Sequence, residues 1–355
     1  MGSKSAEYGF QYAFPRGWFM VAKAADVGDK PLAVRFLGQD FALYRGKSGK
    51  AVLLDAYCPH MGTHLTKNTT SYVIQDGQVE GDSIRCPYHA WRFGPDGKCD
   101  HIPYYDGPIP KAAQVKAWPI VEQMGIIWVW HDPEGQAPDY PVPLLAEWND
   151  PSWIHWRIED LGLIGTHPQE IVDNMADVAH FVPLHGSDEV TYFQFGARDH
   201  RIFQKLGAAS KVREHDTISD TYYEGPGILI SRNISGPDEG IILIAHTPVE
   251  DGTTQVWTGF MVRSPSAVAT DKDRADASVK QDYMKVAVTA DFEVWEHKVG
   301  CTQVMQIPTD GAFDRLRAWY KQFYLPRART AECLKSAEGW HTVRGIPAAP
   351  KQAAE

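Results

Sequence analysis

Two short turns constrain this chain more than anything else in it. "YCPHMG" (57–62) holds Cys58 and His60 as C-x-H, and "RCPYHAW" (85–91) holds Cys86 and His89 as C-x2-H, each beside a proline. Twenty-five residues separate His60 from Cys86. A structural zinc finger usually groups two cysteines in one element and two histidines in another. Here each turn carries one of each. That mixture suits a two-iron, two-sulfide cluster in which both thiolates bind one iron and both imidazoles the other. Replacing thiolate by imidazole removes negative charge and raises the potential to roughly −150 to +300 mV, so such a centre accepts electrons readily. A Cys2His2 zinc site, or four core residues with no metal, are the alternatives. Cys99, in the following "GPDGKC", has no paired histidine and reads as packing.

Such a cage needs a domain around it, and a chain of 355 residues exceeds what one core usually organises. From about Trp18 to Trp130 short apolar runs alternate with turn residues ("WFMVAKA", "LAVRFLG", "AVLLDAY", "GIIWVWH"), the pattern of small antiparallel sheets. The proline-rich "DPEGQAPDYPVPLL" reads as a linker, which places the boundary near residue 140. Beyond it the pattern mixes. "PQEIVDNMADVAHFV" has a helical rhythm, the segments 217–236 and 239–262 read as strands of a larger sheet, and 271–298 reads as one long helix. The second half is therefore α+β.

Charge and hydropathy exclude several partners. With 45 acidic against 35 basic residues and no run of Lys or Arg, nucleic acid is not expected. The longest apolar stretches fall far short of the about 20 residues that cross a bilayer, so no membrane span is expected. The opening "MGSKSAEYGF" lacks the apolar core of a secretory signal. Five cysteines, two of them in the histidine-bearing turns, point to a reducing, cytoplasmic setting.

A second constellation lies in "DNMADVAHFVPLHG", which holds Asp173, Asp177, His180 and His185. On a helix Asp177 and His180 share a face. His185 would sit ~140° around a regular helix from His180, too far to share a metal, unless Pro183 distorts the backbone and swings it back. In the long C-terminal helical segment Met284, Val288, Phe292 and Trp295 mark a buried stripe, and Asp291 falls on it. A lone acid there is costly unless paired or bound to metal. Glu293 points away from the stripe. Two histidines and one carboxylate form the donor set of a non-haem iron(II) site with positions left open for dioxygen. Satisfied core histidines, with Asp291 paired to a Lys or Arg, are the alternative.

"CPHMGTHL" and "CPYHAWRFGPDGKC" resemble the Rieske domain of the Rieske non-haem iron oxygenases. The gap between the two halves is longer than that family's, through extra residues around "KNTTSYVIQ", which should lengthen a surface loop without moving ligands. "DNMADVAHFVPLH" resembles the family's mononuclear-iron segment. "DFEVWEHK" and "RLRAWYKQFY" are most similar to the oxygenase components of bacterial 3-ketosteroid 9α-hydroxylases. The likeness thins between about 190 and 270.

The resemblance implies a Rieske 2Fe–2S domain over 15–140, bound through Cys58, His60, Cys86 and His89. It implies a catalytic domain over 141–345, with a central antiparallel sheet flanked by helices. His180, His185 and Asp291 take the iron-ligand roles, and Asp177 that of the acid bridging the cluster of one subunit to the iron of the next in a homotrimer. Such a chain hydroxylates a steroid-like apolar substrate with O2. Its electrons come from NAD(P)H through a separate reductase or ferredoxin, since no dinucleotide-binding glycine motif is present. A smaller aromatic substrate, with dihydroxylation, dealkylation or desaturation, is the alternative chemistry. An electron carrier without oxygenase activity and a zinc-stabilised binding protein are the rival classes.

Overall fold

The structure, a computed structural model, describes residues 3–210, 214–343 and 345–346. The chain divides into two compact units, 19–130 and 131–355, the first 18 residues joining the latter. The division falls ten residues before the proline-rich segment's centre near 140. The N-terminal residues join the second unit for a packing reason: after the short helix α1 (Lys4–Glu7), Phe10 stacks on Tyr324 at 4.2 Å and Ser5 donates to Asp251.

The 19–130 unit is built from small antiparallel sheets, as the turn-punctuated text predicts. One sheet joins β1 (Gly17–Lys23), β9 (Ile120–Gln123) and β10 (Ile126–His131), and a second joins β2 (Leu32–Phe36), β3 (Gln39–Arg45) and β4 (Ala51–Asp55). After a helical turn α2 (Tyr72–Gln75), a third sheet orders β5 (Val79–Glu80), β6 (Ser83–Arg85), β7 (Arg92–Phe93) and β8 (Cys99–His101). Its core includes Tyr44, Leu54, Leu65, Ile84 and Phe93, all fully buried, and both cysteines of the turns pack into it.

The other unit is a nine-stranded antiparallel sheet with helices against it. β11 (Trp153–Ile154) and β12 (Glu159–Ile164) both pair with β18 (Thr253–Arg263). After helix α3 (Pro168–Val172) the sheet runs through β13 (Ser187–Arg198), β14 (Arg201–Ser210), β15 (Thr217–Glu224), β16 (Ile228–Ser235) and β17 (Asp238–Glu250) back to β18. Helix α4 (Asp271–His297) spans 27 residues, ~40 Å at 1.5 Å per residue. A capping box starts it: the Asp273 N–H donates to the Thr270 hydroxyl, and the Thr270 N–H to the Asp273 carboxylate. Val288, Phe292 and Trp295 on α4 meet Phe193, Leu206 and Tyr223 of the sheet and Trp319 and Tyr320 of α5 (Phe313–Lys321) in one core. Helix α6 (Thr330–Ala337) and edge strand β19 (Gly339–Val343), which pairs with β13, complete the unit. No helix of the described residues is long and apolar enough to cross a membrane.

The turn after β7 is fixed by a close approach. In "GPDGKC" the Gly97 N–H donates to Gly94 O and its carbonyl accepts from Val115 N–H, both at 2.9 Å. Gly97 has φ +79° and a Cβ there would overlap the Val115 carbonyl oxygen. Gly49 has φ +81° but open space around it. Gly49→Ala should therefore cost about 1–2 kcal/mol of stability, the left-handed penalty alone. Gly97→Ala should cost clearly more in urea denaturation followed by circular dichroism. Equal losses would contradict the close approach.

Candidate metal centres

The two cysteine–histidine turns are built alike. In the first, Cys58 N–H donates to Thr63 O and Gly62 N–H to Cys58 O, both at 2.9 Å. In the second, Cys86 N–H donates to Trp91 O at 2.7 Å and Ala90 N–H to Cys86 O at 3.0 Å. Gly62 (φ 70°) and Ala90 (φ 57°) stand at the same place in each turn, both left-handed. For alanine that conformation costs roughly 1–2 kcal/mol, so the second turn keeps its shape against a local preference.

The matched turns send the sulfurs inward and the rings outward. Cys58 and Cys86 are each 2 % exposed, whereas His60 is exposed and His89 half-buried. The two imidazoles lie 4.7 Å apart, and His60 stacks on Trp91 at 4.4 Å. Each thiol perturbs the other: the Cys58 side chain holds the Cys86 thiol below its ordinary value, while the Cys86 side chain, together with burial, pushes Cys58 up. Among the described residues, the side chains that close up around a single point are His180, His185 and Asp291; these four do not. A pair of buried thiols and a pair of imidazoles spread more widely than one ion allows fits a two-iron cage better than a zinc tetrahedron. Cys99 is buried beside them, its thiol donating to His101 O at 3.5 Å.

The extra residues between the turns do more than lengthen a loop. Asn68 accepts the N–H groups of Thr70 and Ser71, and Ser71 caps α2. The Ser71 hydroxyl then donates to the carbonyl of Pro87 at 2.6 Å, next to Cys86. The insertion thus braces the second turn.

The 168–182 segment departs from its helical rhythm, and the departure builds the second constellation. Pro168 starts α3, and His167 caps it by accepting the Gln169 N–H, but regular helix ends at Val172. Two 3-10 turns follow, Asp173–Met175 and Ala179–Phe181. Asp177 shapes the second of these turns: its carboxylate accepts the N–H groups of Ala179 (3.0 Å) and His180 (3.4 Å), a side-chain cap that competes with helix continuation there. The distortion expected at Pro183 therefore begins earlier. A further bond, Leu184 N–H to His180 O at 2.9 Å, and Gly186 at φ +67° turn the chain into β13.

As a result the His180 and His185 rings stand 5.1 Å apart at 75° to each other. Asp291 of α4 faces both: its carboxylate lies 3.3 Å from His185 Nε2 and 4.0 Å from His180 Nε2. One donor atom from each of the three lies within 4.8 Å of the others. Asp291 is 8 % exposed, and its hydrogen bond comes from Asn174 Nδ2 at 3.1 Å. No Lys or Arg pairs with it among the described residues. Asp177 approaches the other side of His180, 3.6 Å from Nδ1. Burial pushes the Asp177 carboxyl up, but the His180 ring and the two N–H groups outweigh it and hold it below the ordinary carboxylate range. The donor set of two imidazole nitrogens and one carboxylate fits iron(II).

The other acids of the neighbourhood stay outside this group. Glu293 is exposed. Asp173 is tied to Arg317 and to Gln169 Nε2, and burial raises its carboxyl despite the guanidinium. Asn174 went unnoticed in the sequence, where nothing marks an amide one residue after an acid as a support for a carboxylate 117 positions away. The face of the triad opens on a cavity of about 390 Å3, walled near the triad by Phe181, Leu184 and Val288.

Known families match both halves of the chain. Residues 17–119 match the Rieske 2Fe–2S domain and residues 129–324 the 3-ketosteroid 9alpha-hydroxylase C-terminal domain. The chain is similar to the oxygenase component of 3-ketosteroid-9-alpha-monooxygenase from Rhodococcus rhodochrous, 30 % identical over 88 % of this chain and 84 % of that one. A Mycolicibacterium smegmatis protein of the same description is 31 % identical over 88 % and 83 %. Its fold resembles that of NdmA from Pseudomonas putida CBB5, with TM-score 0.71 and 17 % identity over 99 % of this chain and 100 % of that one. The Rieske turns in front, the hydroxylase-type domain behind them and near-full-length similarity lead to one assignment: the chain belongs to the Rieske oxygenases of the 3-ketosteroid 9α-hydroxylase family.

Proposed function

We propose that this chain is the oxygenase component of a Rieske monooxygenase that hydroxylates a steroid-like, fused-ring substrate. In this reading Cys58, His60, Cys86 and His89 hold the cluster, and His180, His185 and Asp291 hold a lone iron(II). The observation that carries it is the buried Asp291 carboxylate, 3.3 Å from His185 Nε2, on the wall of a 390 Å3 cavity. A cavity of that size falls in the range that encloses a drug-sized ligand. The metals, when bound, supply single-electron transfer and the activation of dioxygen for insertion into a C–H bond.

The chain's own groups do the rest. Asn174 fixes the Asp291 carboxylate, and Asp177 faces Nδ1 of His180, which leaves Nε2 turned toward Asp291. Phe181, Leu184 and Val288 give the substrate an apolar wall and keep water from the reacting face. Electrons reach the chain from NAD(P)H through a separate reductase or ferredoxin. The steroid assignment is supported by the relatives, which are described as 3-ketosteroid-9-alpha-monooxygenases.

The assembly we propose is a homotrimer in which electrons cross between copies. Two features support it: His60 is exposed on the cluster side, and the Asp177 side chain keeps 37 % of its surface open beside His180. Exposure of both His60 and Asp177 supports a path between copies with Asp177 as its bridge. A cytoplasmic setting accords with five cysteines that are all unpaired thiols.

Asp291→Ala should lose the lone iron and keep the cluster, read as a fall of about one iron per chain by metal analysis with the visible spectrum unchanged. Full iron retention would move the carboxylate ligand elsewhere. Asp177→Ala should keep both the spectrum and the iron content, while substrate-dependent oxygen uptake drops on the order of 100-fold. Near-normal uptake would remove Asp177 from the electron path.

A further inference from the structure

The cavity beside the triad carries a row of polar side chains along its sheet floor. Along the sheet floor, residues of β15 and β16 that point inward pair in rows: Tyr223 with Leu229, Thr221 with Ser231, and Ser219 with Asn233. The last four of these residues line the cavity, as does Gln204, which pairs with Thr221 from the other side. A sheet face packed purely for burial would carry apolar residues here, as the next row does with Leu229 and Ile244. Instead, Thr221, Ser231 and Ser219 are hydroxyls at 7 %, 7 % and 5 % exposure.

Helix α4 covers this floor: Asp291 and Tyr283, eight residues and ~12 Å apart along it, both line the cavity.

The hydrogen bonds in the row leave it with open valences. Asn233 Nδ2 donates to Ser231 O at 3.0 Å and to Ser231 Oγ at 3.1 Å, which uses both amide hydrogens and leaves Oδ1 free to accept. Ser231 Oγ shares a 2.7 Å bond with Thr221 Oγ1; if the Ser231 proton lies in that bond, the Thr221 proton is left over. Ser219 Oγ has no partner among the described residues. Two buried hydroxyls, Thr221 and Ser219, and the half-buried Asn233 acceptor thus line one stretch of the cavity floor, and buried hydroxyls of this kind require a partner.

We propose that the substrate carries a hydroxyl group bound by this row: it donates to Asn233 Oδ1 and accepts from Ser219, with Thr221 alongside. This inference rests on the oxygenase reading of the same cavity.

The test uses the intact enzyme and two 3-ketosteroids, one with a 17β-hydroxyl and its 17-deoxy analogue, with affinity measured by equilibrium dialysis and turnover by oxygen uptake. The unmodified chain should bind the hydroxylated steroid about 10-fold more tightly, and Ser219→Ala and Asn233→Ala should reduce that preference to within about twofold. Thr221→Val, nearly the same shape, should lower it less while folding normally. Equal affinity for the pair, or a preference unchanged in all three variants, would overturn the proposal. A second measurement separates this from the wider reading: crystals soaked in cyclohexanol should place its oxygen between Ser219 and Asn233. If no steroid supports oxygen uptake yet the alcohol binds there, the steroid reading falls and the polar row stands. An alcohol oxygen found away from the row removes the row.

Discussion

A buried carboxylate that no Lys or Arg pairs with among the described residues is the constraint on which this unit depends. Asp291 is 8 % exposed, its hydrogen-bond donor is one neutral amide, and two imidazole edges face it. Taking an ionised acid out of water costs several kcal/mol unless a charge or a metal compensates. Two imidazole nitrogens and a carboxylate oxygen aimed at one point form a favourable donor set around a divalent ion. The surrounding fold serves that arrangement. Helix α4 is held at both ends, by its capping box and by Thr166 on the Trp295 carbonyl, so that Asp291 cannot withdraw. The chain from Asp173 to Gly186 gives up regular helix so that His180 and His185 can turn toward it.

The other unit solves a different problem, two donor types delivered with a fixed polarity. Its matched turns reproduce the same pair of backbone hydrogen bonds and the same left-handed residue, one turn using glycine and the other forcing alanine. The sulfurs end inside a hydrophobic core and the rings at its edge. Ser71 on the Pro87 carbonyl ties the intervening segment to the second turn.

Much of this was legible because the informative residues are local. Cys58 with His60 and Cys86 with His89 stand within four residues of each other, and the stripe of Val288, Phe292 and Trp295 puts Asp291 on the buried face by helical period alone. The strands of 217–263 declared themselves by alternation, which the sheet register bears out. What could not be read depends on contacts distant in sequence. Asn174 supports Asp291 across 117 residues, and the first residues join the second unit through Phe10 on Tyr324. The break at Asp177 was hidden for another reason: a carboxylate that caps the turn after it looks, in sequence, the same as one on a helix face. The polar row on the cavity floor was hidden too, since Ser219, Thr221 and Asn233 read as ordinary strand residues until the register set them side by side.

The central claim is that one chain holds a two-iron cluster and a separate single iron. Metal and acid-labile sulfide analysis of anaerobically purified protein, with paramagnetic resonance after dithionite reduction, tests it most directly. About three irons and two sulfides per chain, with a reduced-cluster signal, are expected. Zinc in place of iron, or two irons per chain with no third metal under iron-replete conditions, would contradict it.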